Sequence, residues 1–248
     1  MPALALVARR YAAMRKRLTI VMGAAVLLVL LAGGGAYVYF FSGLRSSPQQ
    51  LGLSSTPTAS ADTTGLAGKW TVTTGSLAGY RVKELFVGET FKHDAVARTS
   101  AVSGNFTISG DASTGWTASN VSITADLTQL HSVDQVVGRN VTQRDSFVSR
   151  QMNLQQFPNA TFTATTVTVP ATNSATKASL QMSGNLTVHG VTKAVTVSAQ
   201  AQQVGSKLEV AGSVTIDMTD YGVTPPQVPF TAVDSQTVIE FDVLLTKS

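Results

Sequence analysis

From Lys69 onward, apolar and polar residues alternate along most of the chain. The period is two, which belongs to strands with one buried face. The densest stretch is Leu180 to Ala201, LQMSGNLTVHGVTKAVTVSAQA. Leu180, Met182, Leu186 and Val188 fall on one face, and Gln181, Ser183, Asn185 and Thr187 on the other. After a corner at His189-Gly190 the alternation resumes through Val191, Val195, Val197 and Ala199, so the stretch predicts a hairpin. Similar runs begin at Trp70, Tyr80, Ala101, Trp116, Ala160, Lys207 and Thr237. Eight or nine strands with short connections predict an all-β fold, an antiparallel barrel or sandwich.

Two features break this rhythm. His131 to Leu154 lacks period two and predicts one or two short helices, closed by Phe157-Pro158, as a flap at one end of the barrel. At the other extreme, Leu18 to Phe41 runs 24 residues without a charge, long enough to cross a bilayer with some tilt. A cleaved signal peptide would carry an apolar region of roughly 7–15 residues and a small-residue cleavage site. This run is longer and ends in Tyr37, Tyr39, Phe40 and Phe41, so an uncleaved anchor is the better reading. The organisation expected is therefore a basic cytoplasmic tail (1–17), a transmembrane anchor (18–41), a flexible Ser/Thr/Pro linker (42–66) and a β-domain (67–248).

Charge supports this division. The formal net charge is +4, but all six cations before residue 46 lie in a stretch without acids, and the remainder holds 12 Lys/Arg against 14 Asp/Glu. The basic excess flanks the apolar run, which places the N-terminus in the cytoplasm and the β-domain outside. With residues 46–248 at a net charge of −2, the β-domain lacks the clustered positive field that nucleic acid requires. The chain has no cysteine, which removes disulfides, thiolate metal sites and a thiol nucleophile.

Catalytic and metal signatures are weak. His93, His131 and His189 share no ligand spacing. His189 reads as a turn residue, and Asp217, Asp220 and Asp234 as solvated or turn-forming groups. There is no Gly-x-Ser-x-Gly elbow and no phosphate loop. No cofactor is implied, and the chain reads as a non-enzyme. Arg144-Asp145 suggests either a polar pair at a cavity mouth or a structural latch between helix and barrel, the latch being favoured.

Several segments in order resemble the YceI-like family: Gln143-Arg144-Asp145 with FVSRQMNLQQFPNATFTA, MSGNLTVHGVTKAVTV, MTDYGVTPPQVPF and VIEFDVLLTK. The resemblance covers most of residues 68–247, with Gly184 to Lys193 its most specific part. It implies a lipocalin-like eight-stranded barrel, exported, whose apolar cavity binds an isoprenoid or other long-chain amphiphile. The family's serine-aspartate step before its Arg-Asp pair is altered here to His131-Ser132-Val133-Asp134, at longer spacing.

On that reading the ligand-lining candidates are Phe106, Ile108, Val121, Ile123, Leu127, Phe157, Phe162, Leu186, Val188, Val195, Val197, Val214 and Ile216. Phe147 and Phe157 are candidates to gate the entrance. The partners expected are the amphiphilic lipid and the membrane through the N-terminal segment; the sequence leaves open whether the chain is a monomer or a homodimer. The rival to lipid binding is a cell-surface interaction module with a filled core; an enzyme acting on lipid or glycan ranks last.

Overall fold

The computed structural model describes residues 22–37, 45–54, 65–111, 113–136, 138–169 and 177–248. The chain divides into two compact units, Met1–Ser46 with Gln135–Val137, and Ser47–Asp134 with Gly138–Ser248.

In the first unit, residues 22–37 form helix α1, with every side chain exposed. Strand β1 (Arg45–Ser46) pairs antiparallel with β8 (Gln135–Val136). Sixteen residues rise about 24 Å, and no helix among the described residues is long and apolar enough to cross a membrane. The outer parts of the expected anchor, 18–21 and 38–41, lie outside the described residues, as does the basic tail.

The second unit is a closed barrel of eight antiparallel strands. Strands β2 (Gly68–Val72) and β3 (Leu77–Phe86) follow one line, and β4 (His93–Thr99) with β5 (Val102–Asp111) forms its partner; β2 pairs β5 and β3 pairs β4. The ring continues in sequence order through β6 (Gly115–Asp126), β9 (Asn159–Val169), β10 (Ala178–Val188), β11 (Val191–Val204), β12 (Lys207–Asp217) and β14 (Thr231–Lys247). Strand β14 closes it, pairing with β12 on one edge and with β2 and β3 on the other. Closure leaves no unpaired edge for aggregation.

Each hairpin has a local cause. At the β10–β11 corner, His189 and Gly190 both take positive φ (51° and 74°), as a two-residue type I′ turn requires. Asp217 accepts from the Thr219 N–H and caps the 3-10 turn Met218–Tyr221, and Asp126 does the same at Leu127–Gln129.

The structure differs from the expectation in three places. Strand β4 was not visible as alternation, because Val96 on its outer face is as buried as Ala95 and Ala97 on the inner. The irregular segment carries one helix among the described residues, α2 (Gln143–Gln151), within the one or two expected, but the two-residue strands β7 (His131–Ser132) and β8 that precede it were not foreseen. And 47–54, read as part of a flexible linker, lies against the outer wall of the barrel. The Ser47 hydroxyl donates to the Asp94 carbonyl (2.6 Å), Arg81 Nη2 to the Pro48 carbonyl (2.6 Å) and the Ser54 N–H to Glu209 Oε1 (2.6 Å). Beneath this strap Glu240 is fully buried, bonded to Arg98 (2.8 Å) and Arg81 (3.4 Å).

Candidate functional site

Alternation directs one face of every strand into the lumen, and there the apolar residues form one continuous core from Trp70 and Trp116 to Val243 and Leu245. Within it lies a cavity of about 120 Å³. Seven of the sequence candidates line it: Phe106, Val121, Ile123, Phe162, Leu186, Val197 and Val214. Met182, Val210, Ile239, Phe241 and Val243 complete much of the wall. Their alternation marked them as inward-facing, but only the register of closure puts them around this space.

The remaining candidates lie elsewhere. Ile108 is buried in the same core but does not line the cavity. Val188 and Ile216 belong to a second cluster with Leu186 and Tyr221, and Val195 packs against both clusters. Leu127 sits on a 3-10 turn and lines a surface groove under α2. Phe157 packs edge-on against His189, centroids 5.0 Å apart, and occupies the space a Cβ on Gly190 would need.

The strand ends at Phe86, His93, Asp126, Asn159, Val188, Val191, Asp217 and Thr231 lie at one end of the barrel, the mouth. A second cavity of about 360 Å³ opens there, with a wall that includes Phe86, Val141, Phe147, Val228 and Phe230 beside Glu84, Arg139 and Arg144. It shares no lining residue with the lumen cavity. Phe147 thus stands at the mouth, whereas Phe157 does not line this cavity.

Next to it is a buried polar cluster that the sequence had only half disclosed. Arg144 on α2 reaches Asp134 (Nη1–Oδ1 2.8 Å) and Glu84 on β3 (Nη2–Oε2 2.6 Å), not its neighbour Asp145. Asp145 instead accepts from the Ser132 N–H (3.0 Å) and hydroxyl (2.6 Å). Asp134 also accepts from the Val96 N–H (3.0 Å) and lies 3.2 Å from His93 Nε2. The His93 ring stacks on Phe86 (5.2 Å), and Arg139 lies over the same phenyl ring (4.1 Å). Burial by itself would push the Asp134 carboxyl up, but hydrogen bonds from His93 and Arg144 and the guanidinium charge hold it at about 2. Buried Arg144 Nε and His93 Nδ1 have no hydrogen-bond partner among the described residues.

This arrangement ties α2 to β3, to β7 and to Asp134 in the segment after β7, as a latch would. Among the described residues no group of three or more His, Cys, Asp or Glu is placed to hold a metal, and the three histidines are dispersed over β4, β7 and the β10–β11 turn.

Comparison with known proteins bears on this barrel. The YceI-like domain matches residues 57–245. The chain belongs to the YceI-like family. Among solved structures, a polyisoprenoid binding domain from Saccharophagus degradans, implicated in plant cell wall breakdown, shares 14% identity at a TM-score of 0.50, covering 73% of this chain and 99% of that one. BcnA from Burkholderia cenocepacia shares 18% identity at a TM-score of 0.44, covering 66% of this chain and 95% of that one. The YCEI protein of Campylobacter jejuni shares 16% identity at a TM-score of 0.43, over 66% of this chain and 94% of that one. No curated protein sequence matches the chain. At 14% identity the likeness to the Saccharophagus degradans domain establishes the fold alone. The GNLTVHGVTK stretch that carried the resemblance is the β10–β11 hairpin.

Proposed function

We propose that this YceI-like protein binds an isoprenoid or other long-chain amphiphilic lipid in its lumen, outside the cytoplasm, for carriage, storage or sensing, and catalyses no reaction. The observation that supports this most is the apolar wall of the lumen cavity, set inside a closed barrel and separate from a partly polar cavity at the mouth. An acyl or prenyl chain entering such a space gains about 25 cal/mol for each Å² removed from water, without any polar contact. Arg139 lines the mouth cavity where a polar head would sit. The polyisoprenoid-binding relative agrees with this class of ligand.

The lumen cavity measures only about 120 Å³. A long chain therefore needs the wall to give way, and Phe106, Phe162, Phe241 and the flexible Met182 are the side chains able to swing. The same modest volume favours a second reading, an interaction module with a filled core. We take residues 18–41 as a membrane anchor with the N-terminus in the cytoplasm, supported by the basic residues before it and the length of the uncharged run.

Organic extraction and mass spectrometry of the full-length protein, purified from membranes beside Ile123→Trp and Val197→Trp, decides between the readings. A stoichiometric isoprenoid or quinone, at least tenfold depleted in variants whose circular dichroism is unchanged, is the expected result. Equal lipid in all three proteins, or none in any, leaves the interaction module.

A further inference from the structure

We propose that the barrel stands with its mouth against the outer surface of the bilayer, and that Val87, Phe91, Phe147 and Phe230 enter the lipid interface there. This rests on the anchor reading and goes beyond it by giving the domain an orientation.

The first argument is length. The uncharged run ends at Phe41, and Ser47 is already fixed to the barrel by its hydrogen bond to the Asp94 carbonyl. Six residue steps span roughly 20 Å at full extension. Asp94 is the second residue of β4, immediately after the mouth hairpin 87–92. The far end is distant by comparison, since an eleven-residue strand such as β9 runs about 36 Å. A linker free through residue 66 would have allowed any orientation; the strap at 47–54 removes that freedom.

The second argument is where apolar surface is exposed. Among the described residues of the barrel unit, the large apolar side chains left exposed are Val87 (64%), Phe91 (60%), Phe147 (44%) and Phe230 (51%). All four are at the mouth: two in the β3–β4 hairpin, one on α2, one directly before β14. The opposite end carries polar turns such as Asp111 to Thr114 and Gly205-Ser206. Single exposed apolar residues need no explanation, but four gathered at one end mark an interaction surface. Arg139 and Arg150 at that end provide cations that suit lipid phosphates, whereas Lys92 there is paired with Asp234 (2.7 Å). A bilayer is the occupant that the short tether brings within reach.

The absence of cysteine makes the test direct. Single variants Gly34→Cys, Val87→Cys, Phe91→Cys and Ser113→Cys of the full chain are labelled with an environment-sensitive fluorophore and reconstituted into phosphatidylcholine–phosphatidylglycerol vesicles. Quenching is then read against spin-labelled lipid. Quenching at positions 34, 87 and 91, with position 113 at least fivefold less affected, is the expected result. If position 34 is quenched while 87 and 91 are not, or if 113 is quenched equally, the orientation is wrong although the anchor stands, and the apolar rim belongs to a protein partner. If position 34 is unquenched the anchor reading fails, and the orientation with it. Val87 and Phe91 line neither cavity, so none of these outcomes bears on lumenal lipid binding.

Discussion

Arg144 and Asp134 face each other at 2.8 Å, with the aspartate side chain fully buried and the guanidinium nearly so. The pair joins α2 to the segment that leaves β7, and the second guanidinium nitrogen carries the link on to Glu84 in the barrel wall. The bridge passes over the adjacent Asp145, whose carboxylate is committed to Ser132. Two crossed contacts therefore hold the helix at the mouth.

Arg144→Met keeps the unbranched apolar stem but removes the guanidinium and its charge, leaving Asp134 and Glu84 buried together. Breaking a buried pair in this way costs about 3–5 kcal/mol. Urea unfolding of the variant checks the figure; a loss under 1 kcal/mol would mean the latch is not structural.

The same contact sets an acid limit. Asp134 titrates at about 2 in the folded protein, below the ordinary ~3.9 of an unfolded aspartate. Its contribution is present above about pH 4 and disappears as pH falls through 2. Stability measured from pH 5 to 2 should decline more steeply in the native protein than in Asp134→Asn.

Asp242, on the outer wall with Glu209, behaves in the opposite sense. Burial, and then the Glu209 charge, push its carboxyl up to about 6. The folded form prefers the proton, so this contribution is full below about pH 4 and is lost as pH rises through 6. Thermal unfolding of Asp242→Asn should show a flatter profile between pH 4 and 7 than the native protein; parallel profiles would show that the site does not titrate there.

Gly190→Ala forces a Cβ into a left-handed residue and to 2.6 Å from the Phe157 ring. The backbone penalty alone is about 1–2 kcal/mol, and the displaced ring adds to it. Denaturant unfolding should show at least that loss. Asn at the same position, which tolerates positive φ better, should lose less to backbone strain.

Much of this molecule could be read from its residues where a strand has one wet face. The β10–β11 hairpin, β6 and β12 alternate cleanly, and the structure forms them at those places. Strand β4 escaped because both of its faces are covered, so its polarity has no period. The strap at 47–54 escaped for a different reason. Its Ser, Pro, Gln and Gly are linker residues by composition, and what holds them is a set of side chains 33 to 155 residues away, among them Arg81 and Glu209.

Alternation by itself determined a β-domain with one apolar face, because period two needs only neighbouring residues. It also determined an uncharged 24-residue run beside a basic tail. Only the tertiary structure decided which inward side chains share the lumen cavity, since that depends on the register by which β14 meets both β12 and β2–β3. It likewise decided that Arg144 pairs with Asp134 and Glu84 rather than Asp145. Residues adjacent on a helix point in different directions, and the opposing charges came within reach only when the ring closed beneath α2.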